Sequence, residues 1–193
     1  MTVAATSITA IIGRRIWDSR GWPTVEAEIR LKDGSLGRAV APAGQSISPG
    51  EAVDLRDGGT VLAGNDVRKA VAHVNGAIAL ALQGFDAANQ TGLDQRLIEL
   101  DGTLNKARLG ANATIAVSIA AAQAAAASRH LPLWQALHLR GDDEAVVLPS
   151  PEIQIFGGGL HAGHRVDIQE FMLVCPGAHS FAEALDWGAA VYH

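Results

Sequence analysis

The residues of this chain best suited to chemistry lie in one stretch, Ile153-Gln-Ile-Phe-Gly-Gly-Gly-Leu-His-Ala-Gly-His-Arg-Val-Asp-Ile-Gln-Glu-Phe-Met172. Ile153 and Ile155 alternate with Gln154, the period of a strand. Gly157, Gly158 and Gly159 then permit a backbone path that other residues avoid, and close approach by a ligand. Residues 166–174 read as a returning strand with Gln169 and Glu170 in its middle. The expected unit is therefore strand, glycine loop, strand, with His161 and His164 on the loop. An imidazole and a carboxylate meeting at such a turn suit acid/base work or contact with a phosphate. Read by itself, a histidine among glycines is usually a solvated loop residue, and Glu170 is equally an edge-strand charge.

The elements that must position this stretch come from a globular composition. Of 193 residues, 48% are hydrophobic and 18% charged, which excludes a disordered chain and leaves room for one good core or a domain plus part of another. A net charge of -5, with no run of Lys or Arg, argues against a nucleic-acid partner. Cys175 is the single cysteine, so no intrachain disulfide forms and a reducing compartment is expected. It lies in an apolar strand, as a buried inert thiol does. No basic region followed by an apolar one opens the chain. The apolar run over residues 113–127 is broken by Thr114, Ser118 and Gln123 and reads as too short for a bilayer. These features lead us to expect a cytoplasmic protein.

Residues 7–12 are β-rich, and residues 25–31 alternate as a half-buried strand. Asp18-Ser19 and Gly21-Trp22-Pro23 supply turn chemistry between them, and Asp33-Gly34 marks a hairpin into residues 36–41. A three-strand antiparallel meander results, and it needs a helical layer to cover one face. Residues 41–50, small and rich in proline and glycine, form a loop that can move. Residues 51–59 read as a short helix ended by glycines. Residues 66–83 carry Val67, Ala70, Val71, Val74, Ile78 and Ala81 at amphipathic spacing. Residues 93–100 form a short helix, residues 112–128 an alanine-rich buried one, and Trp134, Leu137 and Leu139 continue a short helix after Pro132. The polar residues 140–144 divide the chain. Residues 178–193 form an amphipathic helix with Phe181, Leu185, Trp187, Ala190 and Val191 available to a core. Two strands and one helix cannot close a sheet, so an incomplete second domain is expected.

These blocks resemble enolase, the phosphopyruvate hydratase family. The matching pieces are Asp18-Ser-Arg-Gly-x-Pro-Thr-Val-Glu26, Glu51-Ala-x-x-Leu-Arg-Asp-Gly58, Ile98-Glu-Leu-Asp-Gly-Thr-x-Asn-Lys106, Leu109-Gly-Ala-Asn112, His161-Ala-Gly163, Gln169-Glu-Phe-Met172 and Gly188-x-x-Val-Tyr-His193. They keep the family's order and spacing over nearly the whole chain. The resemblance implies an α+β N-terminal domain over residues 1–140, a three-strand antiparallel meander plus helices. Residues 145–193 would then hold the first ββα of an enolase-type TIM-like barrel, truncated here.

The implied reaction is dehydration of 2-phosphoglycerate to phosphoenolpyruvate in glycolysis, with Mg²⁺ as cofactor. Cations spread the charge that develops when a proton leaves the carbon beside a carboxylate. By position, Ser46 matches the mobile-loop serine that helps to bind the second Mg²⁺. His161 matches the histidine of a loop that closes over the substrate. Gln169 and Glu170 match residues at the substrate, the glutamate assisting at the leaving hydroxyl. The family's catalytic lysines and its carboxylate metal ligands correspond to positions beyond residue 193, and Lys32, Lys69 and Lys106 fall outside the site. The resemblance also implies a homodimer for the complete family member, with Arg14 and Glu26 at positions where such contacts lie.

The departures from the family pattern concern specificity. The first loop reads Ala43-Gly-Gln-Ser-Ile-Ser48 where Ser-Gly-Ala-Ser-Thr-Gly is usual, so Ala43, Gln45 and Ile47 differ. Trp22 replaces an asparagine before Pro23, Gln154 another on the first barrel strand, and Gly157 a third. His164-Arg165 stands where Asn-Lys is common and adds positive charge beside an anionic substrate. Two alternatives stand with the first reading: an enolase-like paralogue acting on a related phosphonate or carboxylate, and a non-catalytic fragment that binds a partner enolase.

Overall fold

The computed structural model describes residues 4–44, 48, 50–138 and 147–193. The chain divides into two compact units, residues 1–141 and 142–193. In the N-terminal unit, β1 (Ile8–Trp17), β2 (Pro23–Leu31) and β3 (Leu36–Ala41) form an antiparallel sheet in the order β1-β2-β3. β1 runs on past the β-rich residues 7–12 through Arg14 to Trp17, and the turn is confined to residues 18–22. Asp18 makes that turn: its Oδ1 accepts from the backbone N–H groups of Arg20 and Trp22, each at 2.9 Å. The Trp22 contact leads in holding the Asp18 carboxyl below its usual range. At the second hairpin Gly34 takes φ 89°, and Asp33 Oδ1 accepts from the Ser35 N–H at 2.8 Å.

β2 differs from the half-buried strand its alternation suggests. Val25, Ala27 and Ile29 enter the core, while Glu26 and Glu28, which alternation assigns to solvent, are buried too. Glu28 is 1% exposed because three guanidinium groups cover it. Arg38 Nη2 donates to it at 2.9 Å, Arg14 Nη1 at 3.0 Å and Arg30 Nε at 3.0 Å. These three, Arg38 foremost, hold its carboxyl down at about 2. Arg14 also reaches Glu26 at 3.1 Å, so the outer face of the sheet is covered by an ionic lattice rather than by water.

The inner face is covered by helices. α1 (Arg68–His73), a π-turn (Val74–Ile78) and α2 (Ala79–Leu82) form one helical run, burying Val67, Ala70, Val74, Ile78 and Leu82. Each fully buried Ile or Leu contributes about 1.5–3 kcal/mol. The π-turn carries Asn75 to the free edge of β1, where its Oδ1 accepts from Gly13 N and its Nδ2 donates to Gly13 O, both at 2.9 Å. One side chain thus occupies edge groups that an added strand would otherwise seek. α3 (Gln90–Asp101) is capped by the Asn89 side chain, and α4 (Ala111–Ser128) packs on β2 and β3.

By length and composition α4 resembles a membrane span, yet 61% of it is buried inside this fold as the core helix. Alanines let it lie close to the sheet. A Cβ on Gly37 would come within 2.1 Å of Ala120 O and 2.3 Å of Ala124 N. α5 (Leu133–His138) follows Pro132; Leu139 and residues 140–144 lie outside the described residues.

Residues 51–58 form no regular element where composition suggested a helix. Tertiary pairing overrides local propensity here. Val53 N donates to Asn105 O and Ala111 N to Val53 O, each at 2.8 Å, while Asn112 brackets the Leu55 backbone through both its amide atoms. Arg56 Nη1 ties the segment to Pro23 O at 2.6 Å and to Asn65 O at 2.8 Å.

The C-terminal unit is a ribbon of β4 (Glu152–Gly157) and β5 (Glu170–Val174), antiparallel, with α6 (Phe181–Tyr192) against it. Ser180 caps α6 by accepting from Glu183 N at 3.1 Å, and Glu183 reaches back to His179 N at 2.6 Å. Gly188 lets α6 settle on β4: a Cβ there would lie 2.5 Å from Ile153 Cδ1. Cys175 is buried just after β5, its thiol directed at Ala184 O.

Candidate functional site

β5 is shorter than expected and begins at Glu170, so residues 166–169 belong to the loop and Glu170 opens the strand rather than sitting inside it. The physical reason is at the loop base. Gly158 N donates to Gln169 O and Gly159 N to Val166 O, each at 2.7 Å, and these bonds close a turn where a longer ladder would have run. Only glycine fits, since a Cβ on Gly158 would meet Ile168 O at 2.0 Å. A register irregularity between Gln154 and Phe156 then aligns Gly157 with Glu170 as Cα partners.

This arrangement gathers the expected site residues of this unit at one end of the ribbon. His161 lies in a short 3₁₀ turn, Gly159–Ala162, closed by Gly163 in the left-handed conformation. The space above Gly157 is bordered by Gln154 and His161: a Cβ built there would lie 2.9 Å from Gln154 Nε2 and 3.9 Å from His161 Cβ. Gln169 packs over Gly159, whose Cβ position lies 3.5 Å from Gln169 Cα. Glu170 stands across the ladder from Gly157. His161, His164, Gln169 and Glu170 are all exposed, and among the described residues no hydrogen bond or ion pair joins their side chains. They are side chains held at a rim and free to meet a ligand.

Gln154 is the member that sequence reasoning treated only as a departure from a pattern. Its signal was the strand period: Gln154 shares a face with Phe156 and Glu152, one residue out of step with Ile153 and Ile155. Ser46, Gln45 and Ile47 lie outside the described residues.

In the N-terminal unit a cleft of about 380 Å³ is lined by Asp18, Arg20, Trp22, Gly44, Asp54 and Arg56 among others. Arg20 Nη2 crosses it to Ala43 O at 2.6 Å. The departure at Trp22 places a half-exposed indole on this cleft.

Two family profiles match the chain. The one described as the enolase N-terminal domain covers residues 8–137, and the one described as the enolase C-terminal TIM barrel domain covers residues 145–193. The β1-β2-β3 sheet with its helices is that N-terminal domain, and the β4–β5–α6 unit is the start of that barrel.

The family generally uses Mg²⁺, and the described residues do not gather a site that fits it. Among them no group of three or more His, Cys, Asp or Glu side chains converges. The buried carboxylates are engaged elsewhere: Glu28 by three arginines, and Asp66 by Arg15 at 2.9 Å and Arg68 at 2.8 Å. Asp101 accepts from Leu109 N at 2.7 Å and from Thr103. Burial alone would raise the carboxyls of Asp66 and Asp101, yet these partners keep both below the usual range. With the first profile covering more than half of it, the chain belongs to the enolase family.

Proposed function

We propose that this chain serves an enolase-type carbon–oxygen lyase, the dehydration of 2-phosphoglycerate to phosphoenolpyruvate. The observation that carries the reading is the backbone position of His161, Gln169 and Glu170 at the glycine end of the β4–β5 ribbon, inside the stretch that matches the barrel domain. In this reaction C2 loses a proton and the C3–O bond breaks. Glu170, at the first position of β5, has the chemistry to deliver a proton to the departing hydroxyl so that water leaves. The Gln169 amide can donate to and accept from substrate oxygens, and His161 can contact the anionic end from above Gly157.

None of Lys32, Lys69 and Lys106 occupies a position that the resemblance places at the site. The base corresponds, by resemblance, to a lysine beyond residue 193. A Mg²⁺-dependent assay with 2-phosphoglycerate, followed by the ultraviolet absorbance of phosphoenolpyruvate, therefore gives no turnover with the 193-residue chain alone. Turnover would place a base within these residues and overturn the assignment of that role to a lysine beyond them. The changes at Gln154, Gly157, His164 and Arg165 support a variant of the reading in which a phosphonate or related carboxylate replaces 2-phosphoglycerate, told apart by competition between the two.

A second reading is favoured by one observation. Phe156, Phe171 and Trp187 of the C-terminal unit are 49%, 40% and 42% exposed, apolar surface beside a sheet of only two strands. A non-catalytic role, in which this unit binds a partner enolase, accounts for such a surface. Size-exclusion chromatography of the chain with and without a full-length enolase decides it, co-elution supporting the partner role and separate peaks contradicting it.

A further inference from the structure

The cleft of about 380 Å³ in the N-terminal unit has walls from separate parts of the chain, and hydrogen bonds tie them together. Arg20 Nη2, on the turn between β1 and β2, donates to Ala43 O at 2.6 Å. Arg56 Nη1 donates to Pro23 O, beside Trp22, at 2.6 Å and to Asn65 O at 2.8 Å. Arg56 Nε and Nη2 both reach Asp54 Oδ2, each at 2.7 Å. A cleft of this size holds a small molecule, and walls fixed in advance leave less ordering to do on binding. Three polar groups remain without partners at it. Asp54 Oδ1 is buried and accepts no hydrogen bond, a costly condition for a carboxylate oxygen. Arg20 uses only Nη2, to Ala43 O and Asp18 Oδ2, so among the described residues its Nε and Nη1 donate to nothing. Trp22 is 39% exposed, with its indole N–H likewise unpaired among them. Asp18, Asp54, Arg20 and Arg56 bring two charges of each sign, so the cleft sums to zero and favours a neutral ligand over a phosphate.

We infer that this cleft binds a neutral purine with guanine's pattern of donors and acceptors, stacked on Trp22 with its amine toward Asp54 and its acceptors toward Arg20. Stacking on an aromatic side chain suits any base. Trp22, which stands where the family pattern has asparagine, supplies that surface. What selects guanine is the pairing of one unused acceptor with unused donors. Guanine carries an N2 amine that donates, and O6 and N7 that accept and are the commonest partners of arginine. Adenine has an amine where guanine has O6 and sets a donor against Arg20. The last torsion of an aspartate is soft, so a turn of the Asp54 carboxylate presents Oδ1 to the cleft while Arg56 holds the other oxygen. The inference stands apart from the lyase reading, since every residue it uses lies in the N-terminal unit.

The test is a titration of the 193-residue chain with guanosine, inosine and adenosine, read on the indole N–H signals of its four tryptophans by proton–nitrogen NMR. The signal that Trp22→Phe removes belongs to Trp22. Guanosine moves that signal along a saturating curve and leaves the other indoles in place. Inosine, which lacks the 2-amino group, binds about tenfold more weakly, the loss of one hydrogen bond to a charged group. Adenosine binds more weakly than guanosine as well. Asp54→Asn erases the preference for guanosine over inosine. Arg20→Gln leaves the Asp54–Arg56 pair in place and weakens guanosine about tenfold, so it decides the matter if Asp54→Asn fails to fold. No saturable shift, a shift shared by all the indoles, or equal affinity for guanosine and inosine overturns the inference. So does a preference that survives in folded Asp54→Asn, or guanosine binding that Arg20→Gln leaves unchanged.

Discussion

Glu170 stands opposite Gly157 on the last rung of the β4–β5 ladder, and the residue that follows β4, Gly158, donates its N–H to Gln169 O. The position of the candidate acid is thereby fixed by two glycines with different tasks. Gly157 leaves open the space between Gln154 and His161, while Gly158 allows the loop backbone to close at its base.

Alanine at these two positions separates the tasks. Gly158→Ala drives a Cβ to 2.0 Å from a backbone oxygen and destabilises the loop by about 2 kcal/mol. Faster amide hydrogen exchange at Gly158, Gly159 and His164 reports the opening. Gly157→Ala meets only the far end of Gln154, so it changes stability by less than about 0.5 kcal/mol while shifting the His161 ring signals. Equal exchange rates in the two variants would contradict this division.

The ionic lattice on the outer face of the sheet gives a pH signature. The Glu28 carboxyl titrates at about 2 in the fold, against 4.5 for the free group. Its folded value is depressed, so its contribution is fully present above pH 4.5 and is lost as the pH falls toward 2. Glu28→Gln lowers stability by about 2 kcal/mol near neutrality and flattens the urea midpoint between pH 4.5 and pH 2. The lowered carboxyls of Asp66 and Asp101 leave a residual slope. A midpoint that falls as steeply in the variant as in the parent would contradict the assignment.

Contact between α4 and β3 depends on the missing side chain of Gly37. Alanine there meets helix backbone at Ala120 and Ala124, which no rotamer change relieves. The expected cost is about 3 kcal/mol, the upper range for overpacking. Chemical denaturation of Gly37→Ala checks it, and an unchanged midpoint would mean that the helix shifts away at little cost.

The meander was legible because turn chemistry at Asp18 and at Asp33-Gly34 brackets strands of clear period, and α4 because its alanines run without a charge. Three features were hidden for identifiable reasons. Glu26 and Glu28 alternate as surface residues do, and only the arrival of Arg14, Arg30 and Arg38 from three strands buries them. Residues 51–58 look helical in isolation, yet Asn105, Ala111 and Asn112, distant in sequence, take their backbone groups. The start of β5 at Glu170 follows from hydrogen bonds of Gly158 and Gly159 that no local pattern encodes. Within the candidate site, the strand–glycine–strand layout was readable from the sequence, whereas the alignment of Gly157 with Glu170 depends on the irregularity between Gln154 and Phe156.

The most direct measurement is kinetic: residues 150–175 of this chain are grafted into a complete enolase, and phosphoenolpyruvate formation is compared for the graft and its Glu170→Gln variant. The account predicts that the graft turns over 2-phosphoglycerate and that Glu170→Gln lowers kcat by about 10²- to 10⁴-fold, as loss of a positioned proton donor does. A folded graft whose turnover is indifferent to Glu170 would contradict it.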